Sequence, residues 1–197
     1  MKKRVLFIVN VDWFFLSHRL PIAQAAAEKG YEVHIATSLT QPINELENLG
    51  FQIHPIKLNR GKYDIFSILV YFFRIITLIP KIKPDLIHLV TIKPVLIGGI
   101  ASRILRVPSV LYAISGMGYV FIGKSFFHKI LRKLISVLYK FALNHKNSIV
   151  VFQNTTDKRD ISHIANLDQS SCEMIKGSGV DINLYEVTDL PNGKPII

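Results

Sequence analysis

Residues 4–30 read RVLFIVNVDWFFLSHRLPIAQAAAEKG. Val5 to Val9 is an unbroken apolar run rich in Val, Ile and Phe. It is too short for a helix and lacks the alternation of a strand with one wet face, so it reads as a central strand covered on both sides. Asn10 and Asp12 follow as turn formers. Ser17 then reads as an N-cap, with Pro21 in the first turn of a helix that continues through an alanine-rich segment to Gly30. Strand, loop and helix in that order open an α/β domain. In open α/β sheets ligands bind in the crevice at the carboxyl end of the first strand, which makes Asn10 to Arg19 the first candidate site. No G-x-G-x-x-G follows the strand, which disfavours a dinucleotide cradle there.

The same rhythm repeats downstream. Tyr31 to Thr37 reads as a second strand, Pro42 to Leu49 as a short helix stopped at Gly50, and Phe51 to Ile56 as a third strand that Pro55 places at an edge or whose end it marks. Asp85 to Val90, Ser109 to Ile114, Ser148 to Phe152 and Cys172 to Lys176 read as further strands. Helices are expected over Tyr63 to Lys83, from Pro94 onward, over Lys124 to His145 and over Asn154 to Ala165, with Asn154 as cap. Gly98 and Gly99 would let the helix after Pro94 lie close on the sheet. Strands alternating with helices call for right-handed crossovers, and so for an α/β, Rossmann-like doubly wound parallel sheet with helices on both faces.

At 197 residues the chain can bury one good core. It is 49% hydrophobic with a net charge of +10, a mean hydropathy of +0.31 and a pI of about 9.7. Apolar and basic together point to a membrane surface ahead of nucleic acid, whose binders spend their composition on polar groups. Ile65 to Ile79 is the most apolar stretch, 15 residues where a bilayer span needs about 20, so a sheet-packed helix is expected, with a helix that also touches lipid, or one that crosses the membrane, as the alternatives. In the helix from Lys124 to His145, Phe127, Ile130, Leu131, Leu134, Leu138 and Phe141 form an apolar face. Lys124, Lys129, Arg132, Lys133 and Lys140 supply a basic one, suited to an anionic membrane. Cys172 is the only cysteine, which excludes an intrachain disulfide. Met1-Lys2-Lys3-Arg4 imitates a signal peptide, but Asp12, Ser17, His18 and Arg19 interrupt the apolar run. The seven histidines show no metal-ligand spacing, and neither G-x-S-x-G nor a P-loop occurs.

A doubly wound sheet would gather Asn10 to Arg19, His88 to Lys93, Ser115 to Phe121 and Gln153 to Asp157 at one edge. His18, read at a helix start, is a base or hydrogen-bonding group there. Lys93 before Pro94 places a cation beside helix amides, a setting for phosphate or pyrophosphate. Gly116 and Gly118 let backbone amides approach a ligand.

The segments FFLSHRLPIAQAAAEKGYEVHIAT, PDLIHLVTIKPVLIGGIASR, SGMGYVF, VVFQNTTD and GSGVD, in this order from Arg4 to about Asp181, resemble the amino-terminal half of a family 4 glycosyltransferase. The nearest group is that of bacterial polysaccharide and lipid-linked oligosaccharide enzymes. The resemblance implies the GT-B architecture, two Rossmann-like domains facing each other, with acceptor held mostly by the first and nucleotide sugar by the second. It implies transfer with retention and without a metal or other cofactor. Asn10, His18, Thr91, Lys93, Gly116, Met117, Gly118 and Tyr119 would line the acceptor side of the cleft, with His18 catalytic. Asn154, Gly177, Ser178, Gly179 and Asp181 would lie between the domains. The histidine that some members carry near the position of Ser115 or Gly116 has no counterpart here.

Residues 1–187 are thus expected to form the acceptor-side domain, and 188–197 a linker and the first residues of a donor domain. The paired glutamates that grip the donor would belong to that second domain, so these 197 residues alone are expected to be inactive. The expected partners are a polyprenyl-diphosphate-linked saccharide, a nucleotide sugar and the inner face of the cytoplasmic membrane, with no nucleic acid. The alternative is a non-catalytic, membrane-anchoring subunit of a split glycosyltransferase.

Overall fold

The computed structural model describes residues 2–40, 42, 44–57, 65–116, 126–177, 179, 182 and 187, with side chains at 44–45 and 126–132 outside that description. Seven strands, β1 Arg4–Val11, β2 Glu32–Ser38, β3 Gln52–Pro55, β4 Leu86–Val90, β5 Ser109–Ile114, β6 Ser148–Phe152 and β7 Cys172–Met174, form one sheet in the order β3-β2-β1-β4-β5-β6-β7. Every pairing is parallel. The chain therefore winds outward from β1 in one direction and restarts beside it with β4, which places the topological switch between those two strands.

Helices cover both faces, as the apolar run of β1 requires. On one side Leu6, Ile8, Ile87 and Leu89 pack with Tyr71, Ile75 and Ile79 of α4 (Ile65–Ile82), Tyr139 and Leu143 of α6 (Phe126–Leu143) and Ile161 of α7 (Thr155–Ala165). On the other, Val5, Phe7, Val33 and Ile35 pack with Phe15 of α1 (Asp12–His18), Ala23 of α2 (Leu20–Glu28) and Leu46 of α3 (Asn44–Glu47). Each such large side chain stabilises the fold by about 1.5–3 kcal/mol on burial. The short β3 is an edge strand with Pro55 as its last residue, so both positions that the sequence leaves open for that proline apply.

Between β4 and β5 a π-helical turn, Pro94–Gly98, runs into α5, Gly99–Ile104. A Cβ on Gly98 would stand 2.5 Å from Leu89 Cδ2, and one on Gly99 would stand 3.0 Å from both the Ala142 Cβ and Tyr112 Cε1. Tyr112 is clamped by its own hydroxyl, which donates to the Ala142 carbonyl, so neither neighbour is placed to yield. Gly99→Val should therefore destabilise the domain by about 1–3 kcal/mol. Urea unfolding checks this, and an unchanged midpoint would mean that α5 is not pinned between β5 and α6.

Two expectations about helices change. Ser17 does not cap a helix running to Gly30: α1 occupies Asp12–His18, breaks at Arg19, and α2 starts anew at Leu20 with Pro21 in its first turn. The Asp12 carboxylate accepts from the Trp13 N–H at 2.8 Å, so the first turn is served five residues earlier than Ser17, whose hydroxyl bonds back to Trp13 O. On α6, the helical spacing puts Leu134 and Phe141 on the apolar face, yet they are 56% and 42% exposed, while Tyr139, Ala142 and Leu143 are buried. The sheet takes the stripe that carries the small Ala142, because α6 must pass close over Gly99. Helix α4 is long and apolar enough to cross a membrane by length and composition alone. Even so, Tyr71, Ile75, Ile79 and Ile82 bury one stripe of it on the domain.

Near the amino end of the sheet, a series of polar contacts ties the edge strand down. His34 Nδ1 lies 3.0 Å from His54 Nε2, His34 Nε2 lies 3.2 Å from Glu32 Oε1, and Arg4 Nε donates to Glu32 Oε2 at 3.1 Å. Only one hydrogen can sit between the two imidazoles. Burial, the largest influence, lowers the pKa of both histidines; Glu32 opposes this at His34, and His34 adds to it at His54. The folded state thus favours the uncharged rings, so their contribution to stability is complete above the ordinary imidazole pKa of about 6.5 and is lost as pH falls below it. The urea midpoint should be lower at pH 5 than at pH 7.5, and His54→Gln should flatten the difference. An equal pH response in that variant would remove the pair from the account.

Candidate functional site at the carboxyl edge

The β1–β4 register runs from Val5↔Leu86 to Ile8↔Leu89. Asn10 and Thr91 each stand two residues beyond its last pair, side by side at the switch point. A bulge between Ile8 and Val11 in the pairing of β1 with β2 lies just before the end of β1, a device that re-aims a side chain. Asn10 Oδ1 and Thr91 Oγ1 are both buried and have no hydrogen-bond partner among the described residues. Thr91 also has φ +72°, a left-handed conformation that costs a β-branched residue about 1–3 kcal/mol and that clusters at functional sites. Its carbonyl accepts from the Val95 N–H at 2.9 Å, so the strained residue heads the next helix. Lys93 lies in that helix's first turn, with helical φ −64° and ψ −49°. The π-helical turn follows at once, another feature frequent at functional sites.

From β1 the chain enters α1 rather than a loop. His18 therefore stands in the last turn of α1, directly before α2, and not at the helix start that the sequence suggests. It is half-buried, with its imidazole stacked on Phe14 at 4.1 Å between centroids. Both His18 and Lys93 lie on segments that leave the carboxyl ends of the adjacent strands β1 and β4.

Three polar residues in this region escape a reading by motif. Asp12 is buried and accepts from Trp13 N–H, from the Thr40 hydroxyl at 2.6 Å and from Thr40 N–H, tying the exit of β1 to that of β2. Arg19 is buried at the α1–α2 break, where its Nη1 donates to the His18 carbonyl at 2.8 Å. Burial lowers its pKa. His88, in the middle of β4, is buried against Phe7, ring centroids 5.0 Å apart. Its pKa is pushed down to about 3, first by burial and then by the charge of Arg19, so it is uncharged at neutral pH. A single histidine inside the apolar run DLIHLV was the available signal for this buried imidazole.

The remaining candidates divide. Gly116 follows β5 at the same edge with φ +155° and open space where a Cβ would stand. Met117, Gly118 and Tyr119 lie outside the described residues, as do Ser178, Asp181 and Lys124. Lys129 and Arg132 are on α6 with side chains outside the description; Lys133 and Lys140 are exposed on it. Asn154 does cap α7: its Oδ1 accepts from Asp157 N–H at 2.8 Å and its Nδ2 donates to Asp157 Oδ2 at 2.7 Å. That reciprocal arrangement commits its side chain to the helix start. Gly177 and Gly179 both have positive φ, +73° and +70°. Among the described residues no group of three or more His, Cys, Asp or Glu is placed to hold a metal ion.

Residues 4–154 match the family model described as glycosyl transferase 4-like. The chain belongs to the glycosyl transferase 4-like family. It is 22% identical over 182 residues to the N,N'-diacetylbacillosaminyl-diphospho-undecaprenol alpha-1,3-N-acetylgalactosaminyltransferase of Campylobacter jejuni, a match covering 92% of this chain and 48% of that protein. The glycosyl transferase 4-like chain thus spans about half the length of this curated relative. Among solved structures, Acinetobacter baumannii MurG superposes with a TM-score of 0.58 at 17% identity, over 91% of this chain and 46% of MurG. The UDP-N-acetylglucosamine 2-epimerase of Rickettsia bellii superposes with a TM-score of 0.56 at 14% identity, over 88% of this chain and 44% of that one. The Rossmann-like half of a GT-B fold, expected from the resemblance, is the architecture present. Because an epimerase shares it, the fold alone does not name a reaction.

Proposed function

We propose that this glycosyl transferase 4-like domain holds the acceptor in a retaining, metal-independent glycosyltransferase that moves a sugar from a nucleotide sugar to a polyprenyl-diphosphate-linked saccharide. The observation that carries the reading is the switch point itself. Asn10 Oδ1 and Thr91 Oγ1 are buried there at the ends of neighbouring strands, flanked by segments bearing His18 and Lys93. A buried carbonyl oxygen and a hydroxyl suit the hydroxyls of a sugar, and a cation in a helix's first turn suits a phosphate. The donor nucleotide sugar is assigned to a partner domain facing this edge. We assign Asn154, Gly177, Ser178, Gly179 and Asp181 to that boundary, and Gly116, Met117, Gly118 and Tyr119 to the acceptor wall, on the family resemblance.

The domain is further proposed to sit peripherally on the cytoplasmic face of an anionic membrane. Helix α4 exposes Ile65, Phe66, Leu69 and Phe73, and α6 exposes Leu134, Val137 and Phe141 beside Lys133 and Lys140. Basic groups near an anionic surface contribute about 1 kcal/mol each, lost as salt rises. Co-sedimentation should show binding to anionic vesicles at low salt that falls at high salt, and Lys133→Glu with Lys140→Glu should weaken it. Equal binding to neutral vesicles would mean that these lysines are only solvated.

The test of the reaction is transfer by the full-length protein from a panel of nucleotide sugars to a polyprenyl-diphosphate-linked saccharide. Label appearing on the lipid-linked product supports the reading, and transfer only to soluble sugars overturns it. Activity that appears only when a second chain is added would favour a membrane-anchoring subunit of a split enzyme.

A further inference from the structure

The ring of His18 is held from within its own helix. Phe14, one turn back, stacks on it with an interplanar angle of 4°. Ser17 Oγ lies 2.6 Å from His18 Nδ1, and the same oxygen lies 2.8 Å from Trp13 O and 3.3 Å from Phe14 O. A serine hydroxyl has one hydrogen, and a carbonyl oxygen only accepts. An oxygen–oxygen contact of 2.8 Å needs that hydrogen between the two atoms, because two lone pairs at such a distance repel. The hydroxyl must then meet the imidazole with a lone pair, which makes Nδ1 the N–H. In the uncharged ring the other nitrogen, Nε2, is then the acceptor.

We infer that Ser17 is a positioning residue that fixes His18 in the Nδ1–H tautomer, so that Nε2 faces a hydroxyl of the acceptor saccharide and not a phosphate oxygen. The distinction is chemical. A phosphate oxygen has no hydrogen to offer, so a lone pair on Nε2 repels it, whereas a sugar hydroxyl donates to it. The phosphates are left to Lys93, and the acceptor is oriented with its sugar toward the α1–α2 break. Arg19 completes the clamp by holding the His18 carbonyl. This inference rests on the placement of His18 in the acceptor site.

The experiment reads the tautomer directly. Long-range 15N–1H correlation spectra of histidine-labelled protein, recorded at about pH 8, above the ordinary imidazole range, and assigned with His18→Gln, should show the Nδ1–H form at His18. Ser17→Ala should move it toward the Nε2–H form that free imidazoles prefer, and Ser17→Thr should restore it. In the full-length enzyme Ser17→Ala should raise KM for the lipid-linked acceptor about three- to tenfold, the effect of one misdirected hydrogen bond, with Ser17→Thr near wild type. Wild-type His18 in the Nε2–H form, or an unchanged spectrum in Ser17→Ala, would overturn the role of Ser17 and leave the acceptor site standing. Unaltered acceptor kinetics in His18→Gln would instead overturn the site reading, and with it the use of the tautomer.

Discussion

Replacing His18 by alanine in the full-length protein should lower turnover about ten- to a thousandfold, the range for a positioned polar group at a reacting centre. The imidazole is stacked on Phe14 and bonded to Ser17, and its main chain is held by Arg19. A side chain restrained in this way loses little freedom when it binds, which is the condition for a large contribution. Folding should be unaffected, since the ring is only half-buried at the helix break. The paired measurement is Lys93→Ala, expected to raise KM for the acceptor through loss of charge while changing turnover less. Wild-type kinetics in both variants would overturn the acceptor-site reading, and wild-type kinetics in Lys93→Ala alone would remove Lys93 from it. A large loss of thermal stability in His18→Ala would instead assign the residue to packing.

The largest effect on stability is expected at Asp12. Asp12→Ala removes an acceptor that serves Trp13 N–H, Thr40 N–H and the Thr40 hydroxyl, all at a buried carboxylate. Hydrogen bonds to a charged group contribute about 1.5–3 kcal/mol each and are not additive within one cluster, so a loss of about 3–5 kcal/mol is expected. For a domain of this size that corresponds to a drop in Tm of about 10 °C. Asp12→Asn should recover part of it, because one carbonyl oxygen remains while the amide N–H2 faces donors. Turnover should fall as well, since Asp12 starts the helix that ends in His18. Calorimetry settles the matter: a change in Tm below about 2 °C would mean that water replaces the carboxylate and that α1 is held by Phe15 alone.

The alternation of elements was legible because each strand of a doubly covered parallel sheet has to be apolar on both faces. The runs VLFIV, DLIHLV and SIVVF could mean little else. β5 and β6 begin and end at the residues that the sequence predicts, and Asn154 caps α7 as expected. Of the candidate site, the meeting of β1 and β4 at one edge was legible, and the side-chain geometry less so. Once β1 and β4 are parallel neighbours, topology alone brings Asn10 and Thr91 to one edge.

What composition and spacing settled, then, was the order of elements and the parallel sheet. Tertiary structure alone decided that Asn10 to Arg19 is mostly helix, because only the fold brings Thr40 to Asp12 and so buries the carboxylate that starts α1. It also decided which stripe of α6 faces inward, leaving Leu134 and Phe141 exposed. Amphipathic spacing identifies an apolar face without saying how much of it a neighbour can cover. The contact of Ser17 with His18 was decided in the same way. A polar side chain's role depends on which partner lies within about 3 Å of it, and that distance is set by the packing of the whole chain.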